Sequence, residues 1–157
     1  APPASTAPSR APRRWRRLAF AGGFAAVLVA AAILAGSLLG GAEPELEATL
    51  TSPAGRTASA TVEKTGIGRV IEFRTEDLPI LPEGEYYELW FVGPGDRPGK
   101  PNRISAGTFH PDEEGRSNVR FAAAVDPAKY PRLAVTAEPG DGDPAPSGPD
   151  VMRSSQP

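Results

Sequence analysis

The sequence predicts an all-β domain, an Ig-like antiparallel β-sandwich of seven or eight short strands, preceded by a single transmembrane α-helix. Three observations predict it. From Leu46 onward, short runs rich in Val, Thr and aromatic residues carry apolar side chains at alternate positions, as half-buried strands do. Pro- and Gly-rich turns separate these runs, and no 3.6-residue period appears among them. Before them, Leu18–Leu39 contains no charged residue at all.

That uncharged run of 22 residues meets the length of about 20 that a bilayer core requires. Ten strongly apolar residues within it favour insertion by about 3–6 kcal/mol. Arg10, Arg13, Arg14, Arg16 and Arg17 stand immediately before it and Glu43, Glu45 and Glu47 after it. Arginines near a helix end are retained in the cytoplasm, so the expected topology is N-terminus inside and everything after residue 42 outside. A cleaved secretory signal is the rival reading, but its apolar core spans about 7–15 residues, shorter than this run. Gly36 and Gly40 form a G-x-x-x-G pair that lets two such helices approach closely, a candidate homodimer face. The expected organisation is a cytoplasmic Pro/Ala/Arg-rich linker (1–17), the membrane helix (18–41), a stalk and first strand (42–53), the sandwich (46–152) and a disordered tail (153–157).

The strands follow in order. Leu46–Pro53 and Thr57–Thr65 flank the turn Pro53-Ala54-Gly55, and Arg69–Arg74 alternates Ile71 and Phe73 with charged neighbours. Asp77–Gly84, with Pro79 and Pro82, is a loop. Glu85–Val92 is the most apolar segment outside Leu18–Leu39 and the expected central strand, with Tyr87, Leu89 and Phe91 on one face and Tyr86, Trp90 and Val92 on the other. Beyond the Gly93–Arg103 loop come Ile104–Phe109, the turn His110–Gly115, Ser117–Val125 and Tyr130–Glu138. Pro139–Pro149 is a second Pro/Gly loop, and Asp150–Met152 a last edge strand.

Composition narrows the function. The chain after residue 42 carries 12 basic and 19 acidic residues, a formal charge of −7, which argues against nucleic acid as a direct partner. With no cysteine there is no disulfide, thiolate nucleophile or cysteine-ligated zinc. Ser105, the single His110 and Asp112 contain the residue types of a hydrolytic triad, but HPDEEG reads as a turn, where Pro and Asp serve the backbone. Asp112, Glu113 and Glu114 lack the alternating ligands of a calcium loop. Neither a metal, a cofactor nor an enzymatic activity is expected. Glu88 and Glu138 stand among apolar strand residues, where a carboxylate needs hydrogen bonds from loop N–H groups or an arginine.

Three stretches together carry a family resemblance. They are Tyr87-Glu88-Leu89-Trp90-Phe91-Val92, then Ser105-Ala106-Gly107-Thr108-Phe109, then Leu133-Ala134-Val135-Thr136-Ala137-Glu138-Pro139 leading into Pro144-Ala145-Pro146-Ser147-Gly148-Pro149. The chain resembles the extracytoplasmic domain of the anti-sigma-K factor family over about Leu46–Met152, with the family's single membrane helix before it. The resemblance implies a regulatory protein whose cytoplasmic N-terminal domain holds an extracytoplasmic-function sigma factor, released by a site-1 protease and then an intramembrane protease. That sigma-binding domain does not lie within these residues, so the chain is expected to be the later part of a longer protein. The family-motif positions Tyr87, Glu88, Leu89, Trp90, Ser105, Ala106, Gly107, Glu138, Pro139, Gly148 and Pro149 are expected to be mostly structural. The alternative is a membrane-tethered binding or adhesion module with no sigma partner, using the Gly93–Arg103 and Pro139–Pro149 loops as its contact surface.

Overall fold

A computed structural model describes residues 43–155. The expected linker, the membrane helix with Arg13, Arg14, Arg16, Arg17, Gly36 and Gly40, and the last two residues lie outside the described part. Among the described residues no helix is long and apolar enough to cross a membrane. Eight strands follow one another: β1 (Leu46–Thr51), β2 (Thr57–Thr65), β3 (Gly68–Thr75), β4 (Tyr86–Val92), β5 (Arg103–Phe109), β6 (Ser117–Ala123), β7 (Arg132–Glu138) and β8 (Met152–Ser154).

The pairing departs from a sandwich. All eight strands belong to one continuous antiparallel sheet of order β5-β4-β7-β8-β1-β2-β3-β6, curled almost into a barrel. The reason is β8. Expected as an edge strand over Asp150–Met152, it starts at Met152, runs through Arg153 and Ser154, and stands between the two halves. It pairs with β7 through Ala134↔Arg153 and Val135↔Met152, and with β1 through Leu50↔Ser154 and Thr51↔Arg153. Arg153 and Ser154 therefore belong to the sheet and not to a tail. The Ser154 hydroxyl, buried, accepts a hydrogen bond from the Leu133 N–H at 2.9 Å.

The curled sheet wraps one core. Alternation on β2, β3 and β4 sends Val62, Ile71, Phe73, Tyr87, Leu89 and Phe91 inward, all essentially inaccessible. Tyr87 also places its phenol on the Pro79 carbonyl at 2.8 Å, tying the β3–β4 loop to the core. The rims β5 and β6 close through side chains. Phe109 on β5 packs at 5.1 Å from Phe73 and 6.3 Å from Phe121 on β6. Gly107 allows this approach, since a Cβ there would lie 2.3 Å from Phe121 Cδ1, and its φ of 149° suits only glycine.

Gly107→Ala is expected to cost about 2–4 kcal/mol from overpacking and backbone strain together. Urea unfolding checks it, and in a Phe121→Ala background the added cost should fall towards the strain alone.

Candidate functional site

Two of the family-motif residues, Trp90 and Glu138, meet on the convex face of β4 and β7. There the alternation that buries Tyr87, Leu89 and Phe91 would leave Trp90 and Val92 in water. Both are nevertheless buried, in a small second cluster with Ala134 of β7. Covering such a face requires a segment laid across it, and the Pro139–Asp150 connection is anchored on it by one buried carboxylate.

The anchor is a relay of three side chains. Trp90 Nε1–H donates to Thr136 Oγ1 at 2.7 Å. The Thr136 hydroxyl donates in turn to Glu138 Oε1, and the other carboxylate oxygen of Glu138 accepts the backbone N–H of Ser147 at 2.8 Å. Thr136 and Glu138 are 0 % and 2 % exposed, so each of these groups depends on the next for its polar partner. Val151 N–H closes the far end of the connection on the Val135 carbonyl at 2.7 Å.

A second anchor joins this connection to the β4–β5 loop. Arg103, at the start of β5, donates to both carboxylate oxygens of Asp96 at 2.9 Å and to Asp150 at 2.6 Å. Asp96 also accepts the Asn102 N–H at 3.0 Å, and Arg153 of β8 reaches Asp150 and lies 3.7 Å from Asp96. The Asp96 side chain is 1 % exposed and that of Arg103 is 10 % exposed. Hydrogen bonding from Arg103 holds the Asp96 carboxyl below the usual carboxylate range. Burial opposes the charge on Arg103, but its bonds to Asp96 and Asp150 outweigh that and raise its pKa further. None of these four residues belongs to a recognisable motif. Their only signal is charged residues within or beside otherwise Pro- and Gly-rich loops.

Around the second anchor lies a groove of about 640 Å³. The β1–β2 turn at Ser52 and Pro53 forms one wall, Arg97, Pro98 and Pro101 another, and Pro146 and Pro149 a third. A smaller pocket of about 240 Å³ shares Pro53, Pro149 and Asp150 with it and is also lined by Leu78 and Met152.

The remaining motif positions are spread through the fold. Leu89 and Ala106 are core residues, Gly107 makes the rim contact, and Gly148 turns the chain with φ 65°. Pro139 is exposed, while Ser105 sits opposite Trp90 on the neighbouring strand. Glu88 is half-buried. Desolvation pushes its carboxyl up, a hydrogen bond with Ser105 opposes this, and the charge of Glu138 adds to it. Ser105 and His110 are five residues apart on and beyond β5, about 17 Å at strand rise. Asp112 is engaged by Arg116 through side-chain and backbone bonds of 2.9 and 2.8 Å. No Ser/His/Asp arrangement is assembled, and Asp112 and Glu114 serve the β5–β6 turn through Arg116.

Thr136→Val keeps shape but leaves Trp90 Nε1 and Glu138 Oε1 unpaired, and is expected to cost about 2–4 kcal/mol in urea unfolding. Asp96 has a depressed folded pKa, so its stabilisation is present above the unfolded carboxylate value of about 3.9 and is lost as pH falls through the folded one. Asp96→Asn should therefore be less stable at neutral pH and show a flatter acid limb. Glu88 has the opposite sign. Its raised folded pKa makes stability grow as pH falls from neutral towards about 4, and Glu88→Gln should be more stable at pH 7 with that growth abolished.

Comparison with known families gives one result. A family model described as "Anti-sigma-K factor rskA, C-terminal" matches residues 20–150, most of the chain. No curated protein matches the chain. No solved structure matches it either.

Proposed function

Because the chain belongs to the anti-sigma-K factor C-terminal family, and so to anti-sigma factors whose partner is a sigma factor, we propose that it is the extracytoplasmic regulatory part of such a factor. It is held in the membrane by Leu18–Leu39 with its N-terminus in the cytoplasm, and it controls release of the sigma factor by exposing or shielding its own stalk to a protease. A second cut within the membrane then frees the cytoplasmic side. The domain works by conformation and binding, without a catalytic step.

The observation that carries this reading is the position of β1. The expected stalk, Glu43–Pro53, is mostly β1, because Leu46–Thr51 pairs with β2 along its whole length. Among the described residues, 43–45 precede the strand, and Glu45 is held as well: its N–H donates to the Val62 carbonyl at 2.8 Å, and its carboxylate accepts from Arg69 at 2.7 Å. A protease needs an extended stretch of several free residues. The paired β1 denies it that, and β1 is in turn flanked by β8. Loosening β8 and its preceding connection would leave β1 held by β2 alone and so make the stalk easier to open.

The tethered-module reading retains one specific support. The two loops expected as its contact surface do line a common groove, joined by the Arg103–Asp150 ion pair.

With the full chain in membranes, an added broad-specificity protease should cut between Ala42 and Thr51 at least about tenfold faster in Met152→Asp, which places a charge at a fully buried β8 position, than in the parent. Equal rates would mean that the folded sheet does not shield the stalk, and the regulatory reading would fail.

A further inference from the structure

The groove between the β4–β5 loop and the 139–151 connection is lined by more basic than acidic residues, although the domain as a whole is acidic. The segment after residue 42 has a formal charge of −7. Within the groove lining, however, Arg97, Arg103 and Arg153 stand against Asp96 and Asp150 alone. The two aspartates are shared between Arg103 and Arg153. Asp96 and Asp150 side chains are 1 % and 12 % exposed and face Arg103, which is buried with them. Arg153 remains 46 % exposed above that cluster, and Arg97 is exposed with no ion pair among the described residues. Arg103 and Arg153 together balance the two aspartates, so the unbalanced charge that faces solvent from this groove is Arg97, with the half-exposed guanidinium of Arg153 in the same lining.

The Arg153 side chain and the Arg97 backbone are held in place. Arg153 is part of β8 and is fixed by Asp150. Arg97 lies in a tight reversal, with its N–H and carbonyl bonded to Lys100 at 3.4 and 3.0 Å and Gly99 turning at φ 75°. Around them the walls are proline rings, from Pro53, Pro98, Pro101, Pro146 and Pro149. Thr51 and Ser52 are the only neutral hydrogen-bonding side chains in the lining, and it contains no aromatic ring. A sugar polymer would find few partners for its hydroxyls and no ring to stack on. A carboxylate finds planar forks suited to it, and an apolar side chain beside that carboxylate finds the proline walls. A groove of about 640 Å³ accepts a few residues of extended chain.

We infer that this groove binds an acidic peptide segment, with carboxylates on Arg97 and Arg153 and interleaved apolar side chains against the prolines. The inference deepens the regulatory reading, because the occupant would bear on the connection that leads into β8. Its binding is nevertheless measured without sigma factor or protease, so the two readings fail separately.

The test uses the full chain in nanodiscs of zwitterionic lipid and a fluorescein-labelled peptide of alternating Leu and Glu, followed by anisotropy. Saturable binding is expected, weakened about tenfold or more by Arg97→Glu and by salt of about 0.5 M. The matching Leu/Gln peptide should not saturate. Arg97 is exposed and unpaired among the described residues, so an unchanged urea midpoint will certify the variant's fold. Failure of the Leu/Glu peptide to saturate, or equal binding by Arg97→Glu, would overturn the proposal. So would tighter, Arg97-dependent binding of oligogalacturonate, which would make the ligand an anionic glycan.

Discussion

The whole sheet depends on a strand of three residues. β8 makes two residue pairs with β7 and two with β1, and these are what join the three strands β5-β4-β7 and the four strands β1-β2-β3-β6 into one curled sheet. Each half alone would present an unpaired edge, at β7 or β1, with backbone donors and acceptors left to water or to another chain. Such a short strand has little cohesion of its own, so its position is secured on either side. Before it, Asp150 is held by Arg103, and Ser147 by the buried Glu138; within it, Ser154 accepts from Leu133. The charged and polar groups concentrated here are therefore structural, and cohesion around β8 rests on buried ion pairs and hydrogen bonds as well as on the burial of Met152.

This concentration also separates the two halves of the molecule in character. β2, β3 and β6 alternate apolar and polar residues over long registers, with eight and seven residue pairs in their two ladders. Their stability is distributed over many small contacts. Around β8 a few desolvated groups carry it, each leaving a buried partner stranded if removed. The groove with its exposed Arg97 adjoins this region.

Much of this was legible in the residues. Alternation and turn chemistry placed every strand from β1 to β7 within a few residues, because period-two burial and Pro/Gly punctuation are local properties. The buried faces of β4 followed from the same alternation. The sandwich did not survive, because whether two halves are joined depends on a non-local pairing by Met152–Ser154, a segment too short and too polar to show a period. Ser154 and Arg153 look like tail residues until their partners are known. The need of Glu138 for a backbone donor could be stated from its apolar surroundings, whereas the identity of that donor, Ser147, depends on the path of the connection. Asp96 and Arg103 gave no signal beyond their charge, since the loop that brings them together has no periodic pattern at all.

The place of β8 in the chain has a consequence for the order of events during synthesis. Its partner in β1 lies about a hundred residues earlier, so this pairing is among the longest-range contacts in the domain and closes a large loop. A chain emerging N-terminus first can assemble the β2–β3 hairpin early, but it cannot complete the sheet until its final strand has appeared. Until then β1 has one neighbour instead of two. The interval between the appearance of Leu46 and that of Ser154 is thus a window in which an unfinished domain is open to capture by chaperones, to pairing with another copy, or to degradation.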